Sequence, residues 1–131
     1  MRINLITNFA DHKGLWRSGC LLDAVLSGWG HQVRRVHYAT PLEAMPADLN
    51  IFLETIRPEL FPLASRQWLI PNPEWFSEAD AIHLSVFERV LCQTREAERL
   101  FTPLTDHAIY TGFESEDRYD PTVPRETKVL H

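Results

Sequence analysis

The sequence predicts an α/β fold: a Rossmann-like, doubly wound and mostly parallel sheet of about six strands, with helices on both faces. The first observation is a strand–helix–strand unit within residues 1–38, in which Gly30 closes the helical stretch. So short a unit implies parallel strands joined by a right-handed crossover. The second observation is composition: 131 residues, 44% of them apolar and only five glycines, are typical of one globular domain.

The strand–helix–strand unit accounts for the first three elements. Residues 2–9 are mainly apolar, as in a buried strand, and residues 31–38 begin a second strand. Between them, residues 14–28 predict a helix, with Asp11 as N-cap and Gly30 as the glycine just past its end. Apolar residues recur there at steps of three and four and predict one buried stripe. This stripe consists of Leu15, Gly19, Leu22, Leu26 and Trp29.

The middle of the chain continues the alternation. Residues 48–54 predict a third strand, and residues 58–64 a short helix with proline near its start. Residues 66–70 predict a fourth strand, which Pro71 and Pro73 stop.

Two more helix–strand pairs follow. Residues 77–87 predict a helix capped by Ser77, with Asp80 completing a capping box, and residues 88–93 a fifth strand. Thr94 caps a helix that runs to Phe101. Residues 107–111 predict a sixth short strand, residues 112–126 an acidic loop, and residues 128–131 the first residues of a further strand.

Charge and cysteine content limit the function classes. The net charge of −5 disfavours a nucleic-acid binder. Residues 1–40 hold five basic against two acidic residues, a net +3 that permits peripheral contact with an anionic inner-membrane surface. No apolar run is long enough to span a bilayer. Cys20 and Cys92 are isolated, as in reduced core residues, and indicate a cytoplasmic protein.

Taken in order, several segments resemble the N-terminal domain of GT-B glycosyltransferases, especially the retaining, group-1/family-4-like members. The segments are MRINLIT with Gly14 in the loop that follows, GHQVRRVHY at 30–38, DLNIFLE at 48–54, LIPNPEW at 69–75 and VLCQTREAERLF at 90–101. YTGFESEDRYDP at 110–121 and VLH at 129–131 are similar to the approach to the second domain. The resemblance rests on the order of all these segments along the chain, because no single one of them is specific to the family.

The resemblance implies that residues 1–112 form the acceptor-binding half of an enzyme that moves a sugar from a nucleotide-sugar donor to a hydroxyl acceptor. Residues 113–131 would then be an acidic linker and the start of a missing C-terminal domain that grips the donor. Because the reaction takes place between the two halves, this half alone is expected to be inactive. No cofactor and no metal are expected, and the exposed interdomain face permits a dimer.

Candidate site residues follow from where parallel sheets bind ligands, at the carboxyl ends of their strands. The substrate-binding candidates are Asn8, Lys13, Gly14, Glu54, Asn72, Glu74, Thr94 and Gly112. The resemblance implies that His12 acts as general base in an inverting member, a role that suits a side chain whose ordinary pKa lies near neutrality.

Several candidates also have ordinary structural explanations. Glu54 either contacts ligand hydroxyls or pairs with Arg57, since an unpaired buried carboxylate is costly. Trp75 and Phe76 are expected to pack in the core, the alternative being that they stack on an acceptor ring. His31 and His37 are expected to be structural strand residues, and Thr94 a helix cap.

Two other functions fit an α/β chain of this size. One is a free-standing flavodoxin-like or receiver-like binding module without catalytic activity. The loop after the first strand lacks the Ser/Thr/Gly-rich phosphate loop of a flavodoxin, and a receiver would need clustered aspartates there. The other is a catalytically inactive domain kept for protein–protein contacts.

Overall fold

The computed structural model describes residues 1–10, 14–41 and 44–111, which form a Rossmann-like α/β fold. The strands are β1 (Arg2–Thr7), β2 (Gln32–His37), β3 (Ala47–Leu53), β4 (Ala64–Ile70), β5 (Arg89–Cys92) and β6 (Ala108–Tyr110). The α-helices are α1 (Gly14–Gly28), α2 (Glu78–Ala81) and α3 (Arg95–Phe101). Two 3₁₀ helices occupy Pro58–Leu63 and Leu84–Val86.

The strands form a single sheet in the order β2-β1-β3-β4-β5-β6, and every neighbouring pair is parallel. The predicted fold class is therefore confirmed. The chain moves outward from β1 to β2 and then crosses back to β3, so the direction of winding reverses between β1 and β3. In doubly wound sheets, ligands bind beside this switch point, at the carboxyl ends of the strands.

The two faces of the sheet are covered differently. On one face the apolar side of α1 packs on β1 and β3, and on the other face the 3₁₀ helices and α3 pack over β3–β6. Among the described residues, α1 is the only helix on its face of the sheet, and it does not cover β4–β6. Three side chains of these strands therefore stay partly exposed there: Trp68, Leu91 and Ile109. None of the helices in the described ranges is long and apolar enough to cross a membrane.

A row of buried amides crosses the sheet on the face opposite α1. Asn4, Asn50 and Gln67 stand at matching register positions of β1, β3 and β4. Asn4 donates to Asn50 Oδ1 (3.0 Å), and Asn50 Nδ2 donates to Gln67 Oε1 (2.9 Å) and to the Leu60 carbonyl (2.8 Å). A slip of one strand would bury these amides without partners, which costs about 1–3 kcal/mol for each. The row therefore fixes the register.

The cap predictions at Ser77 and Thr94 are confirmed, but one helix is shorter than predicted. Ser77 and Asp80 form the capping box, yet α2 ends at Ala81 and a 3₁₀ helix follows, so the single helix predicted over 77–87 is wrong. Leu84 and Phe87, the buried residues of this segment, lie three apart. A 3₁₀ helix satisfies that spacing as well as an α-helix does.

The predicted stripe of α1 is correct except at its end. Gly19 and Leu26 are buried, and Leu15 and Leu22 pack on the sheet, but Trp29 is 72% exposed. Gly30 takes a φ of 95°, as predicted for the glycine that ends a helix. The helix α1 ends at Gly28, one residue before Trp29, so the buried stripe stops short of Trp29.

Several predictions lie outside the described residues. These are the N-cap Asp11, the linker and start of a second domain at 113–131, and the strand at 128–131.

Candidate functional site

Three polar side chains follow neighbouring strands at the carboxyl edge of the sheet. The register pairs Ile6 of β1 with Phe52 of β3, so Asn8 and Glu54 each lie two residues beyond a matched pair. On the other side of β3, Asn72 follows the end of β4 and donates to Glu54 Oε1 at 3.3 Å. An amide–carboxyl pair therefore lies at the carboxyl ends of β3 and β4, beside the switch point between β1 and β3.

The backbone at Glu54 is strained. Its φ of 69° lies in the left-handed region, and it is the one non-glycine residue with a positive φ among those the structure describes. For a side chain with a Cβ this conformation costs about 1–2 kcal/mol. The next residue adds a second cost, because the buried Thr55 hydroxyl has no hydrogen-bond partner among the described residues. Strain and an unsatisfied polar group at one place are typical of functional sites.

The Glu54 carboxyl is half-buried and has no cationic partner among the residues that the structure describes. Arg57 instead pairs with Glu59, so of the two alternatives for Glu54 the ion pair with Arg57 is wrong. Burial raises the pKa of Glu54, and nearby Glu74 adds to this rise, while the hydrogen bond from Asn72 opposes it. A raised pKa extends to higher pH the range in which the carboxyl keeps its proton and can donate a hydrogen bond to a hydroxyl. The ionised carboxylate instead accepts a hydrogen bond from a hydroxyl.

The turn after β4 supports this pair and exposes an aromatic ring. Asn72 Oδ1 accepts from the Glu74 N–H at 3.0 Å, and the Trp75 N–H donates to the Asn72 carbonyl at 3.1 Å. The Trp75 side chain is 74% exposed, so its predicted place in the core is wrong. Phe76 does pack as predicted, edge-on against Phe101 with ring centroids 4.8 Å apart. The same turn thus holds Asn72 toward Glu54 and leaves an indole in solvent.

An apolar cleft of about 110 Å³ opens between α1 and the carboxyl ends of β3, β4 and β5. Its walls are the side chains of Leu22, Leu53, Ile70 and Leu91. Ser18, Gln93 and Thr111 add polar groups to the lining. Leu53 directly precedes Glu54, so the cleft begins where the strained carboxyl residue leaves the sheet.

A second, more polar cavity of about 250 Å³ lies at the opposite, amino-terminal edge of the sheet. Arg2, Gln32 and Met45 are among its lining residues. Parallel α/β sheets do not use this edge for ligands. This cavity therefore serves as a negative control for ligand binding at the carboxyl edge.

The remaining predicted residues lie at the same edge or outside the described residues. Gly14 begins α1, and nothing stands within 4 Å of a Cβ added there. Thr94 caps α3, and its hydroxyl accepts from the Ala97 N–H at 3.0 Å. Asn8 accepts from the Ala10 N–H at 3.1 Å. His12, Lys13 and Gly112 lie outside the described residues.

Histidine and cysteine side chains of the described chain occupy structural positions. His37 Nδ1 accepts from the Phe9 N–H at 3.2 Å, and His31 Nδ1 lies 3.0 Å from the N-terminal amine. Cys20 and Cys92 are free thiols, and burial raises the pKa of Cys92. Within the described ranges, His, Cys, Asp and Glu side chains form no group of three that could hold a metal ion.

Sequence patterns gave an outward-facing Trp75 only as the alternative to core packing, and they missed the polar lining of the cleft. Trp75 stands beside Phe76 in a run of two aromatic residues, and nothing in that run shows which ring turns inward. Ser18 lies one residue from the stripe of α1, and its place at the cleft depends on how α1 crosses the sheet.

Comparison with known proteins identifies no relative: the chain matches no family model, no curated protein and no solved structure.

Proposed function

We propose that this chain is the acceptor-binding half of a glycosyltransferase that moves a sugar from a nucleotide-sugar donor to a hydroxyl acceptor. The observation that carries the proposal is the half-buried Glu54 carboxyl beside the switch point of a parallel sheet, with a left-handed backbone and a hydrogen bond from Asn72. The ordered segments that resemble GT-B enzymes supply the reaction class.

The chemistry of the edge suits a sugar-like acceptor. The carboxyl group of Glu54 accepts or donates a hydrogen bond according to its protonation, and the amide of Asn72 offers both a donor and an acceptor. The exposed Trp75 ring presents an apolar face on which the C–H face of a pyranose can lie. In the proposed reaction, Glu54 holds the acceptor hydroxyl in place and receives its proton as the acceptor oxygen bonds to the sugar. The bond between the sugar and the nucleoside diphosphate breaks in the same transfer, and the diphosphate leaves with the electron pair.

The nucleotide-sugar donor is assigned to a second domain, as the resemblance implies. The proposal also keeps a cytoplasmic location, because the two cysteines are free thiols, which persist in reducing compartments. Peripheral contact with the inner membrane through the basic N-terminal third, and a dimer through the interdomain face, remain part of the same proposal.

Loss of the Trp75 ring should weaken acceptor binding. We expect Trp75→Ala to weaken binding of a methyl pyranoside roughly tenfold, about 1.4 kcal/mol, because the stacked face is lost. Trp75→Phe should retain most of the affinity. Trp29→Ala is the matched control, since Trp29 is 72% exposed but follows the far end of α1. Titration by NMR gives each affinity, and equal losses for Trp75→Ala and Trp29→Ala would remove Trp75 from the site.

The reaction class is tested by incubating the 131-residue chain with a panel of nucleotide sugars. The acceptor half alone should hydrolyse none of them, while a longer protein that carries the proposed donor-binding domain should transfer the sugar to an added acceptor. Hydrolysis by the 131-residue chain alone would contradict the division into two halves.

A second candidate, the free-standing flavodoxin-like module, is favoured by one observation. The order β2-β1-β3-β4-β5 is the flavodoxin-like order of doubly wound sheets, here with β6 added at the edge. Such a module places a flavin mononucleotide at the same switch point. Binding of this nucleotide to the 131-residue chain, without binding of pyranosides, would favour the module over the glycosyltransferase half.

A further inference from the structure

The apolar cleft beside Glu54 has the size and lining of a binding site for a small uncharged group. Its volume of about 110 Å³ is several times the roughly 30 Å³ that one water occupies in the liquid. It is also close to the roughly 150 Å³ of an engineered apolar cavity that binds benzene. The cleft therefore has room for about one aromatic ring or one short branched alkyl group.

The lining of the cleft selects against charged ligands. Four aliphatic side chains form its walls, and none of the seven lining residues is an acid or a base. Moving a phosphate or a carboxylate into such surroundings would leave its charge unpaired, which is strongly unfavourable. Its polar groups, Ser18, Gln93 and Thr111, are neutral and offer hydrogen bonds that orient a ligand.

The cleft and the amide–carboxyl pair are built from the same strand ends. Leu53 and Ile70 line the cleft, and the chain reaches Glu54 and Asn72 within two residues of these walls. One ligand can therefore place an apolar group between α1 and the sheet and a hydroxyl at Glu54. Glu54 and Asn72 would not recognise an apolar group, and the cleft would not recognise a polyol.

We propose that this cleft binds an aryl or short branched alkyl group carried by the acceptor, so that the substrate class is an uncharged alcohol with an apolar substituent. The inference rests on the proposed function for its reaction, but the cleft can be tested without any sugar. Its occupant is part of the acceptor, and the affinity for the apolar group adds to that of the hydroxyl contacts.

Benzyl alcohol and sorbitol are the two probes, since the first joins an aromatic ring to one hydroxyl and the second has hydroxyls but no apolar group. In an NMR titration of the 131-residue chain, benzyl alcohol should shift the methyl signals of Leu53, Ile70 and Leu91. Sorbitol should leave these signals in place, because it has no apolar group that could fill the cleft.

Filling the cleft should remove this binding. Ser18→Leu adds a side chain from α1 into the cleft and should weaken benzyl alcohol binding about tenfold. Ala24→Leu makes a similar addition on the exposed side of the same helix and should leave the affinity unchanged. Leu91→Phe fills the cleft from the side of the sheet, and it provides the same test if Ser18→Leu does not fold.

Three results would overturn the inference: no methyl shifts with benzyl alcohol, equal shifts with sorbitol, or binding that survives both filling variants. Each of these leaves the proposed function standing, because pyranosides could still bind at Glu54 and Trp75. Conversely, if benzyl alcohol binds in the cleft but a protein that also carries the proposed donor-binding domain transfers no sugar, the binding site stands and the reaction is refuted.

Discussion

Replacement of Glu54 by glycine is expected to stabilise the folded chain and to impair the proposed sugar transfer severely. Glycine adopts the left-handed backbone without strain, which should stabilise the folded chain by about 1–2 kcal/mol. The greater freedom of glycine in the unfolded chain opposes this gain by roughly 0.5–1 kcal/mol. We therefore expect the free energy of unfolding to rise by about 1 kcal/mol. In the proposed enzyme, kcat/KM should fall about a hundredfold or more, because the carboxyl that we propose as the acceptor of the proton is gone.

Glu54→Gln separates the carboxyl from the backbone strain, since it keeps the side chain and removes the charge. Burial raises the pKa of Glu54 in the folded chain, so the folded state holds this proton more tightly than the unfolded state. The resulting stability is present below the ordinary glutamate pKa and is lost as pH rises through the raised value. The advantage of Glu54→Gln over the natural residue should therefore grow as pH rises toward neutrality.

Urea denaturation at a series of pH values measures both effects. A glycine variant less stable than the natural chain would show that the left-handed backbone is not a source of strain. Full transfer activity in Glu54→Gln would remove Glu54 from the proton-transfer step.

The largest loss of stability is expected from Asn50→Asp, at the centre of the buried amide row. Asn50 Nδ2 donates to both the Leu60 carbonyl and Gln67 Oε1, and a carboxylate of the same shape would face these two acceptors with none of its own protons. An unpaired buried charge costs about 3–5 kcal/mol, a large share of the roughly 5–15 kcal/mol that folds a domain. The urea concentration at the midpoint of unfolding should therefore be much lower for Asn50→Asp than for the natural chain.

Gln32→Glu is the matched control for Asn50→Asp, because it makes the same amide-to-acid change at an exposed position of β2. We expect it to alter the free energy of unfolding by about 0.5 kcal/mol or less. The two variants are compared by circular dichroism during urea denaturation. Equal midpoints for Asn50→Asp and the natural chain would mean that the amide row does not hold the sheet in register.

The sequence predicts much of this fold because its local signals and its tertiary contacts agree. Apolar runs such as residues 48–54 are bounded by polar or proline-containing segments, and such runs become buried parallel strands. Strand order depends instead on contacts between distant residues. The pairing of Asn4 with Asn50, which helps to place β3 beside β1, has no local signature.

The site is only partly predictable for a similar reason. The rule of strand ends identifies Glu54, Asn72 and Glu74 correctly as neighbours at the carboxyl edge. It gives no sign of the left-handed backbone at Glu54, since glycine, asparagine and aspartate are the residues that usually adopt it. The outward turn of Trp75 is set by the hydrogen bonds of residues 72–75, which appear only in three dimensions.

The most direct measurement is an NMR titration of the 131-residue chain with methyl pyranosides of the gluco, galacto, manno and rhamno series. If the carboxyl edge binds a sugar-like acceptor, the backbone amide shifts will concentrate at Glu54 and at residues 72–75. Shifts confined to Arg2, Gln32 and Met45 at the opposite edge, or no shifts with any of the four, would contradict acceptor binding at Glu54.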